Sequence, residues 1–221
     1  LTAIFDESCR LSQIVNDFLD YARPRVPRQD RVDINALLNQ ATGFLNGEMK
    51  RLGVECIRDT EDSLFVLGDK DLLYRAVYNI LVNAYQAIGG SGIIRIRGVR
   101  RDDGMIELSF HDSGPGFPPA LLHKLLDPFF TTKDHGTGLG LPIVNTIVTS
   151  HNGELLLTNP EGGGAMITIL LPVASEPDIG DTPEKGGRTD AGADGEPVTL
   201  TDPLPSEEHD LREGDASPQA R

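Results

Sequence analysis

The sequence is short of the residues that mark several common protein classes. It has no tryptophan, and its 221 residues include only two cysteines, Cys9 and Cys56. Two thiols are too few for a disulfide framework, and neither lies in a cluster with the spacing of metal ligands. No apolar run approaches the ~20 residues that a membrane-spanning helix requires, and there is no signal-peptide pattern. We therefore expect reduced thiols and no membrane contact by these residues.

Positive charge is also scarce. Lys and Arg number 20 against 34 Asp and Glu, which gives a formal net charge of -14. A sequence-independent nucleic-acid interface needs a basic surface, so we expect no nucleic-acid partner. Much of the excess lies in residues 174–221, with 13 acidic and 4 basic residues. Because this tail is also nearly free of large apolar residues, it is predicted to be disordered and acidic.

The chain begins with Leu1 rather than methionine, and we expect it to be a piece of a longer protein. Residues 1–23 are predicted to form one helix, because Ile4, Leu11 and Phe18 recur every seven residues. Such an apolar stripe requires a partner surface, either in its own domain or in a helix bundle. Residues 24–33, with two prolines and five charged residues, are predicted to be a linker.

Residues 34–173 carry alternating helix and strand patterns and are predicted to form one domain. Helices are expected at 34–52, 69–88 and about 138–150, and residues 112–137 form a long irregular stretch. The predicted strands are 54–57, 64–67, 93–99, 105–111, 155–158 and 165–171.

Asn79 and Asn83 are four residues apart on the second of these helices, so they project from one face. They border an apolar stripe that should face the core. Amide oxygens suit a hard cation, and amide N–H groups suit phosphate. Taken alone, however, the pair is better explained as two surface asparagines.

Two further motifs lie in the irregular stretch. Asp112-Ser113-Gly114-Pro115-Gly116 follows a predicted strand, where a carboxylate can accept a hydrogen bond from an exocyclic amine and glycines admit a flat ring. Asp127 to Lys133 reads Asp-Pro-Phe-Phe-Thr-Thr-Lys, and its two phenylalanines suit a loop that moves over a ligand. The ordinary explanations are a tight turn and a small apolar cluster.

The fourth motif, Gly136-Thr137-Gly138-Leu139-Gly140-Leu141, opens the last predicted helix. Glycines at a helix N-terminus expose backbone N–H groups, and the helix dipole favours anions there. No Gly-Lys-Ser/Thr follows, so the motif is not a P-loop.

In this order, over residues 60–172, the four motifs resemble the nucleotide-binding boxes of the GHKL superfamily, in which gyrase, heat-shock chaperones, histidine kinases and mismatch-repair ATPases share one ATP-binding fold. The residues of these motifs are most similar to those of sensor histidine kinases of the nitrogen-regulation type. The resemblance implies ATP and Mg²⁺ as cofactors, and an α/β two-layer sandwich in which a mixed sheet packs under helices.

The resemblance also assigns roles. Asn83 matches the Mg²⁺ ligand, Asn79 its neighbour in the metal and phosphate site, and Asp112 the carboxylate that reads the adenine amine. Residues 117–137 match the mobile ATP lid, in which the charge of Lys133 suits a phosphate contact. The remaining residues expected at the cofactor are Gly114, Gly116, Phe129, Phe130, Thr132, Gly136, Thr137, Gly138, Leu139, Gly140 and Leu141.

Two positions refine this assignment. In the superfamily's ATPases a glutamate that activates water precedes the metal asparagine by four residues. Asn79 stands there and is a poor general base, which favours phosphoryl transfer over hydrolysis. The family's last strand usually carries small hydroxyl residues after its glycines, whereas Gly164 is followed by Ala165 and Met166. Thr168 is the nearest hydroxyl.

The helix at 1–23 resembles the second helix of the kinase dimerisation bundle, whose first helix carries the phosphoacceptor histidine. No histidine precedes His111, and none of the five has the acceptor context. The resemblance therefore implies a missing acceptor helix, a homodimeric parent protein and a response-regulator receiver domain as partners. Cytoplasmic location is expected, whether or not the parent is anchored in a membrane.

We predict an ATP-dependent protein-histidine kinase domain that does not phosphorylate itself in the absence of the acceptor helix. Two alternatives stay open at this point. One is a serine kinase of the anti-sigma type, which shares the fold, and the other is a nucleotide-binding regulatory module without chemistry.

Overall fold

A computed structural model describes residues 27–133 and 136–174 of the chain. The predicted helix at 1–23, the first residues of the predicted linker and the acidic tail beyond Ala174 lie outside these residues. Within them, no helix is both long enough and apolar enough to cross a membrane.

In the part of the chain that the structure describes, five strands form one mixed sheet: β2 (Val54–Thr60), β4 (Gly92–Arg100), β5 (Met105–Asp112), β6 (Glu154–Thr158) and β7 (Met166–Pro172). Their order across the sheet is β2-β4-β5-β7-β6. The pair β2 and β4 is parallel, and each of the other neighbouring pairs is antiparallel. Each predicted strand of this sheet is present, and most are one to three residues longer than predicted.

Three helices cover one face of the sheet: α1 (Ile34–Arg51), α2 (Lys70–Ile88) and α3 (Gly140–Ser150). Alternation along the strands decides which side chains meet them. Along β5, for example, Ile106, Leu108 and Phe110 are buried against the helices, whereas the residues between them are only partly buried. The result is the predicted two-layer sandwich, with its core between the sheet and the helices.

The ends of the helices are set by their capping residues. The Asp33 side chain accepts a hydrogen bond from Ala36 N (3.1 Å) and begins α1. Asp69 does the same for α2 through Asp71 N (3.0 Å) and Leu72 N (3.3 Å). Gly89, with φ 65°, ends α2 in the left-handed conformation.

The predicted linker is wrong over its last four residues. Asp30–Asp33 form β1, which pairs antiparallel with β3 (Phe65–Gly68) in a separate two-stranded sheet. The high charge of this segment indicated a linker, but its single apolar residue, Val32, is buried at 3% exposure. The Arg31 guanidinium lies 4.1 Å from the centre of the Phe65 ring, so a charged residue here covers an aromatic one.

Candidate functional site

Asp112 is the buried carboxylate at the end of β5, with 5% of its surface exposed. Its Oδ1 accepts hydrogen bonds from Gly114 N (2.8 Å) and Ala165 N (3.4 Å). Among the described residues no hydrogen bond goes to Oδ2. The carboxylate is therefore held in place through one oxygen, and the other is available to a ligand donor such as an exocyclic amine.

The turn after Asp112 is held by Asn159, which the sequence analysis did not single out. Asn159 Oδ1 accepts from Phe117 N (2.8 Å), and its Nδ2 donates to Phe117 O (2.7 Å). Gly116 lies against the same side chain, because a Cβ there would be 3.0 Å from Asn159 Oδ1. Asn159 lies 42 residues from Phe117, so nothing in the local sequence indicated this contact.

Gly164 makes the tightest backbone approach at this end of the site. It has φ 81°, and a Cβ at this position would overlap the carbonyl oxygen of Asp112. Only glycine fits both constraints. From the sequence alone, this glycine was notable only as the residue before a missing hydroxyl.

The missing hydroxyl is replaced by backbone atoms. Ala165 N donates to the Asp112 carboxylate, and Asp112 N donates to Ala165 O at 3.0 Å. Thr168 does not take the role, because it pairs with Ser109 and so lies on the sheet face opposite Asp112. Thr168, the nearest hydroxyl in the sequence, therefore lies on the other side of the sheet from Asp112.

Asn79 and Asn83 project from α2 toward the same side, as their spacing predicts. Asn79 Nδ2 is buried without a hydrogen-bond partner, the one such side-chain atom recorded within residues 27–133 and 136–174. A buried N–H group without a partner is unfavourable unless a ligand satisfies it. The amide of Asn83 faces the start of α3, since a Cβ on Gly140 would lie 3.2 Å from Asn83 Nδ2.

Lys133 reaches from the predicted lid to α2. Its Nζ donates to Asn83 Oδ1 (3.3 Å) and to Gln86 Oε1 (2.9 Å). Although the residue as a whole is exposed, desolvation of its ammonium lowers the pKa of Lys133, and the charge of Asp112 opposes this shift. Gln86 was missed by the sequence analysis, although its position three residues after Asn83 places it on the same face of α2.

This arrangement fits a hard cation such as Mg²⁺. The Lys133 ammonium is a positive charge that two amide oxygens already bind, and a carboxylate lies close enough to affect it. Neutral amide oxygens are ordinary ligands of hard cations.

The predicted lid starts with a 3-10 helix over Pro119–Lys124 and then runs past Phe129, Phe130 and Thr132. Phe129 is 57% exposed and has φ 66°, which is unusual for a residue that is not glycine. Phe130 is partly buried, and Thr132 is exposed. The structure therefore places one of the two phenylalanines at the surface of the lid.

Gly138 joins the lid to α3. Phe129 N donates to Gly138 O (3.1 Å), and with φ 67° Gly138 lies so close to the Phe129 backbone that a Cβ would overlap it. Thr137 Oγ1 accepts from Leu139 N (3.3 Å). Leu139 is fully buried and anchors the turn in the core, and Leu141 packs at the core edge.

Gly140 is the first residue of α3, so the second glycine motif lies at a helix N-terminus as predicted. Gly136 N donates to Lys133 O (3.2 Å) and closes the turn that carries the lysine. The backbone N–H groups and the helix dipole here favour an anion near Asn83 and Lys133.

His151 is structural, as its place at a helix end predicts. It is 3% exposed and caps α3. Its Nδ1 donates to Ile147 O (2.7 Å), and its Nε2 accepts from Asp69 N (2.9 Å). Both ring nitrogens are used, so this histidine ties the end of α3 to the start of α2.

Comparison with known proteins agrees with this geometry. Residues 68–175 match the sequence model of the family described as histidine kinase-, DNA gyrase B- and HSP90-like ATPase. The chain is 33% identical over 174 residues to the signal transduction histidine-protein kinase AtoS of Escherichia coli (strain K12), a match that covers 78% of this chain and 29% of AtoS. The chain thus spans less than a third of this relative.

Solved structures match as well. ShkA, in complex with AMPPNP, superposes with a TM-score of 0.72 at 26% identity, over 79% of this chain and 38% of ShkA. The catalytic domain of the histidine kinase ThkA gives 0.62 at 28% identity, over 66% of this chain and 96% of that domain. ThkA in complex with the response regulator protein TrrA gives 0.68 at 27% identity, over 78% of this chain and 50% of that chain.

The family model covers both glycine motifs, both asparagines and the lid, and almost the whole of a kinase catalytic domain superposes on the described residues. The chain therefore belongs to the histidine kinase-, DNA gyrase B- and HSP90-like ATPase family, and it contains an ATP-binding catalytic domain of the sensor histidine kinase type.

Proposed function

We propose that this domain transfers the γ-phosphoryl group of ATP to a histidine on a separate helix of the same kinase, for relay to an aspartate of a response regulator. The single observation that carries the proposal is Asn79. It occupies the position of the hydrolytic base, offers a buried N–H donor and has no carboxylate. A site that binds ATP without a base for water is suited to a nucleophile supplied by another segment.

Different residues of the site contact the adenine and the phosphates of the nucleotide. Asp112 Oδ2 accepts from the adenine amine, while Gly114 and Gly116 line the ring. Asn79, Lys133 and the N–H groups around Gly138 face the phosphates. Asn83 would hold Mg²⁺, which would supply positive charge to neutralise the charge that develops on the phosphate oxygens.

In the transfer, an imidazole nitrogen forms a bond to the γ-phosphorus and the bond to the bridging oxygen breaks, so ADP leaves. The ring proton passes to solvent. The protein's part is to position the reacting groups and to keep water out, and the lid with Phe129 and Phe130 serves the second purpose.

The partners of this domain follow from the same proposal. The acceptor helix pairs with the predicted helix at 1–23 in a dimeric bundle, and the receiver domain docks after phosphorylation. The response regulator bound to ThkA supports the docking of a receiver domain, and the AMPPNP bound to ShkA supports the binding of ATP. The proposed location is the cytoplasm.

Titration calorimetry tests the site. Asp112→Ala should weaken ATP binding with or without Mg²⁺, because the adenine contact needs no metal. Asn83→Ala should weaken it chiefly in Mg²⁺. Wild-type affinity in both variants would refute the assignment.

Labelling with radioactive ATP tests the reaction. The chain alone should bind ATP and remain unlabelled, whereas an added bundle that carries the acceptor histidine should become labelled. Phosphohistidine is labile in acid and stable in alkali, and phosphoserine behaves in the opposite way. An acid-stable label would favour the serine-kinase alternative, and tight ATP binding without any label on the bundle would favour the non-catalytic module.

A further inference from the structure

Lys133 makes a contact that a phosphate-binding lysine does not need. Its ammonium lies between two amide oxygens of α2, Asn83 Oδ1 at 3.3 Å and Gln86 Oε1 at 2.9 Å. These oxygens belong to residues three apart on one helical face, so they converge on a single point. The lid is thereby fastened to α2 across about 50 residues of sequence by one side chain.

The backbone of Lys133 is hydrogen-bonded on both sides within the lid. Lys133 N donates to Thr131 Oγ1 (3.1 Å), and Lys133 O accepts from Gly136 N (3.2 Å). Both backbone groups of the lysine are therefore bonded within the lid. With its backbone fixed, the position of the ammonium and the position of the lid are coupled.

The point where the ammonium lies is a cation site. Its ligands are neutral oxygens, one of which belongs to the residue proposed to hold Mg²⁺. A divalent cation bound at Asn83 Oδ1 would lie close to the Lys133 ammonium, and in this partly desolvated site the two positive charges would repel each other strongly. The lysine and the metal therefore compete for Asn83.

We propose that Lys133 is a tethered cation that holds the lid to α2 in the nucleotide-free protein and is exchanged for Mg²⁺ at Asn83 when Mg·ATP binds. Gln86 is the second half of this latch. On exchange, the ammonium leaves Asn83 Oδ1 and turns to the phosphate oxygens. Metal binding thus releases the lid from α2, and Lys133 then contacts the nucleotide instead. This inference rests on the proposed function for its trigger but not for the latch itself.

Hydrogen exchange in the nucleotide-free chain tests the latch directly. Lys133→Met removes the charge and keeps the length of the side chain, and amides of residues 129–139 should then exchange on the order of fivefold faster. Gln86→Ala leaves the lysine in place and removes one of its two acceptors, so it should give a smaller increase in the same peptide. Unchanged exchange in Lys133→Met would overturn the proposal.

Lys124→Met is the matched control. It removes the same charge from the exposed 3-10 helix of the lid, and no contact between Lys124 and α2 is recorded within the described residues. Exchange of residues 129–139 should not change. An increase equal to that of Lys133→Met would mean that lid charge, rather than the latch, protects these amides, and would also overturn the proposal.

ATP affinity with and without metal tests the exchange step. In EDTA, Lys133→Met should bind ATP about tenfold more weakly, because a charge near the phosphates is lost. In Mg²⁺ the loss should be about threefold or less, because a competitor for Asn83 is lost as well. Equal losses in both conditions would overturn the exchange.

The two proposals fail separately. If the wild-type chain does not bind Mg·ATP, the proposed function fails, whereas the exchange measurement on nucleotide-free protein is unaffected. If wild type binds Mg·ATP and Lys133→Met leaves the lid amides unchanged, the latch alone fails.

Discussion

The proposed nucleotide site has an adenine end, called the base end here, and a phosphate end, and the two are built differently. At the base end, Asp112, Asn159 and Ala165 are hydrogen-bonded to one another or to neighbouring backbone before any ligand arrives, and Gly164 packs against Asp112 O. At the phosphate end, Asn79 Nδ2 has no partner, and Asn83 shares its oxygen with a lysine from the lid. The base end is thus preorganised, whereas polar groups at the phosphate end reach their final partners only with ligand.

This contrast has a physical origin. An adenine ring is flat, neutral and the same before and after the reaction, so a rigid slot suits it. The phosphates carry several negative charges and bind together with a cation, and the product nucleotide has one phosphate fewer. The side chains that contact the phosphates must therefore be able to change their hydrogen-bond partners. Mutations at the base end should therefore affect folding and binding together, and mutations at the phosphate end should affect binding alone.

The largest effect is expected for Gly164→Ala at the base end. A Cβ would overlap Asp112 O, and φ 81° is strained for alanine. We expect a loss of about 3 kcal/mol in the free energy of unfolding, together with loss of ATP binding. Urea denaturation and calorimetry measure the two effects.

Gly162→Ala is the control for this prediction. No heavy atom lies within 4 Å of a Cβ at Gly162. Its stability should stay within about 0.5 kcal/mol of wild type. Similar losses in both variants would show that the glycine run needs flexibility rather than the single close approach at Gly164.

A smaller effect is expected for Asn159→Ala. Both hydrogen bonds to Phe117 would be lost, which should cost about 1–2 kcal/mol of stability and also weaken ATP binding, because the turn at Gly116 loosens. Thermal denaturation with and without nucleotide measures both. Full stability with normal affinity would contradict the idea that the base end is held before the ligand binds.

Asn79→Ala should show the opposite pattern at the phosphate end. No hydrogen bond of Asn79 Nδ2 is lost, and alanine favours a helix, so stability should stay within about 0.5 kcal/mol of wild type or rise. Mg·ATP should bind on the order of tenfold more weakly. A clear loss of stability would remove the distinction between the two ends.

The smallest effect is expected outside both ends. Removal of the residues after Ala174 takes away an acidic segment with too few large apolar residues to form a core. The melting temperature and the affinity for ATP should not change. A lower value of either would mean that the tail contributes to the domain.

Much of the fold was predictable because its signals are local. The alternation in β5 and the apolar face of α2 follow from side-chain periodicity alone, and Asp69 and Gly89 mark the ends of α2 in the sequence. The wrong linker assignment has a local cause too. A single buried valine in a run of charges carries too little periodic signal to reveal a strand that forms only when β3 is beside it.

The candidate site was predictable as a set of motifs but not as a set of contacts. The sequence blocks that could be recognised contain Asn79, Asn83, Asp112 and the glycine motifs. Asn159 and Gln86 act through contacts 42 and 47 residues away, which no window of sequence shows. The sequence also could not show which face of the sheet Thr168 occupies, because this depends on the register of β7 against β5, and register is a property of the pair.

The small sheet of β1 and β3 has a mechanical consequence. β3 lies between β1 and the segment that follows β7, since Val66 pairs with Val32 on one side and bridges to Val173 on the other. Neighbouring strands lie about 4.8 Å apart, so β1 and the segment after β7 lie about 10 Å from each other, on the two sides of β3. A pull on either segment therefore acts at the same corner of the domain rather than at opposite ends of it, and β3 is the strand that both pulls load first.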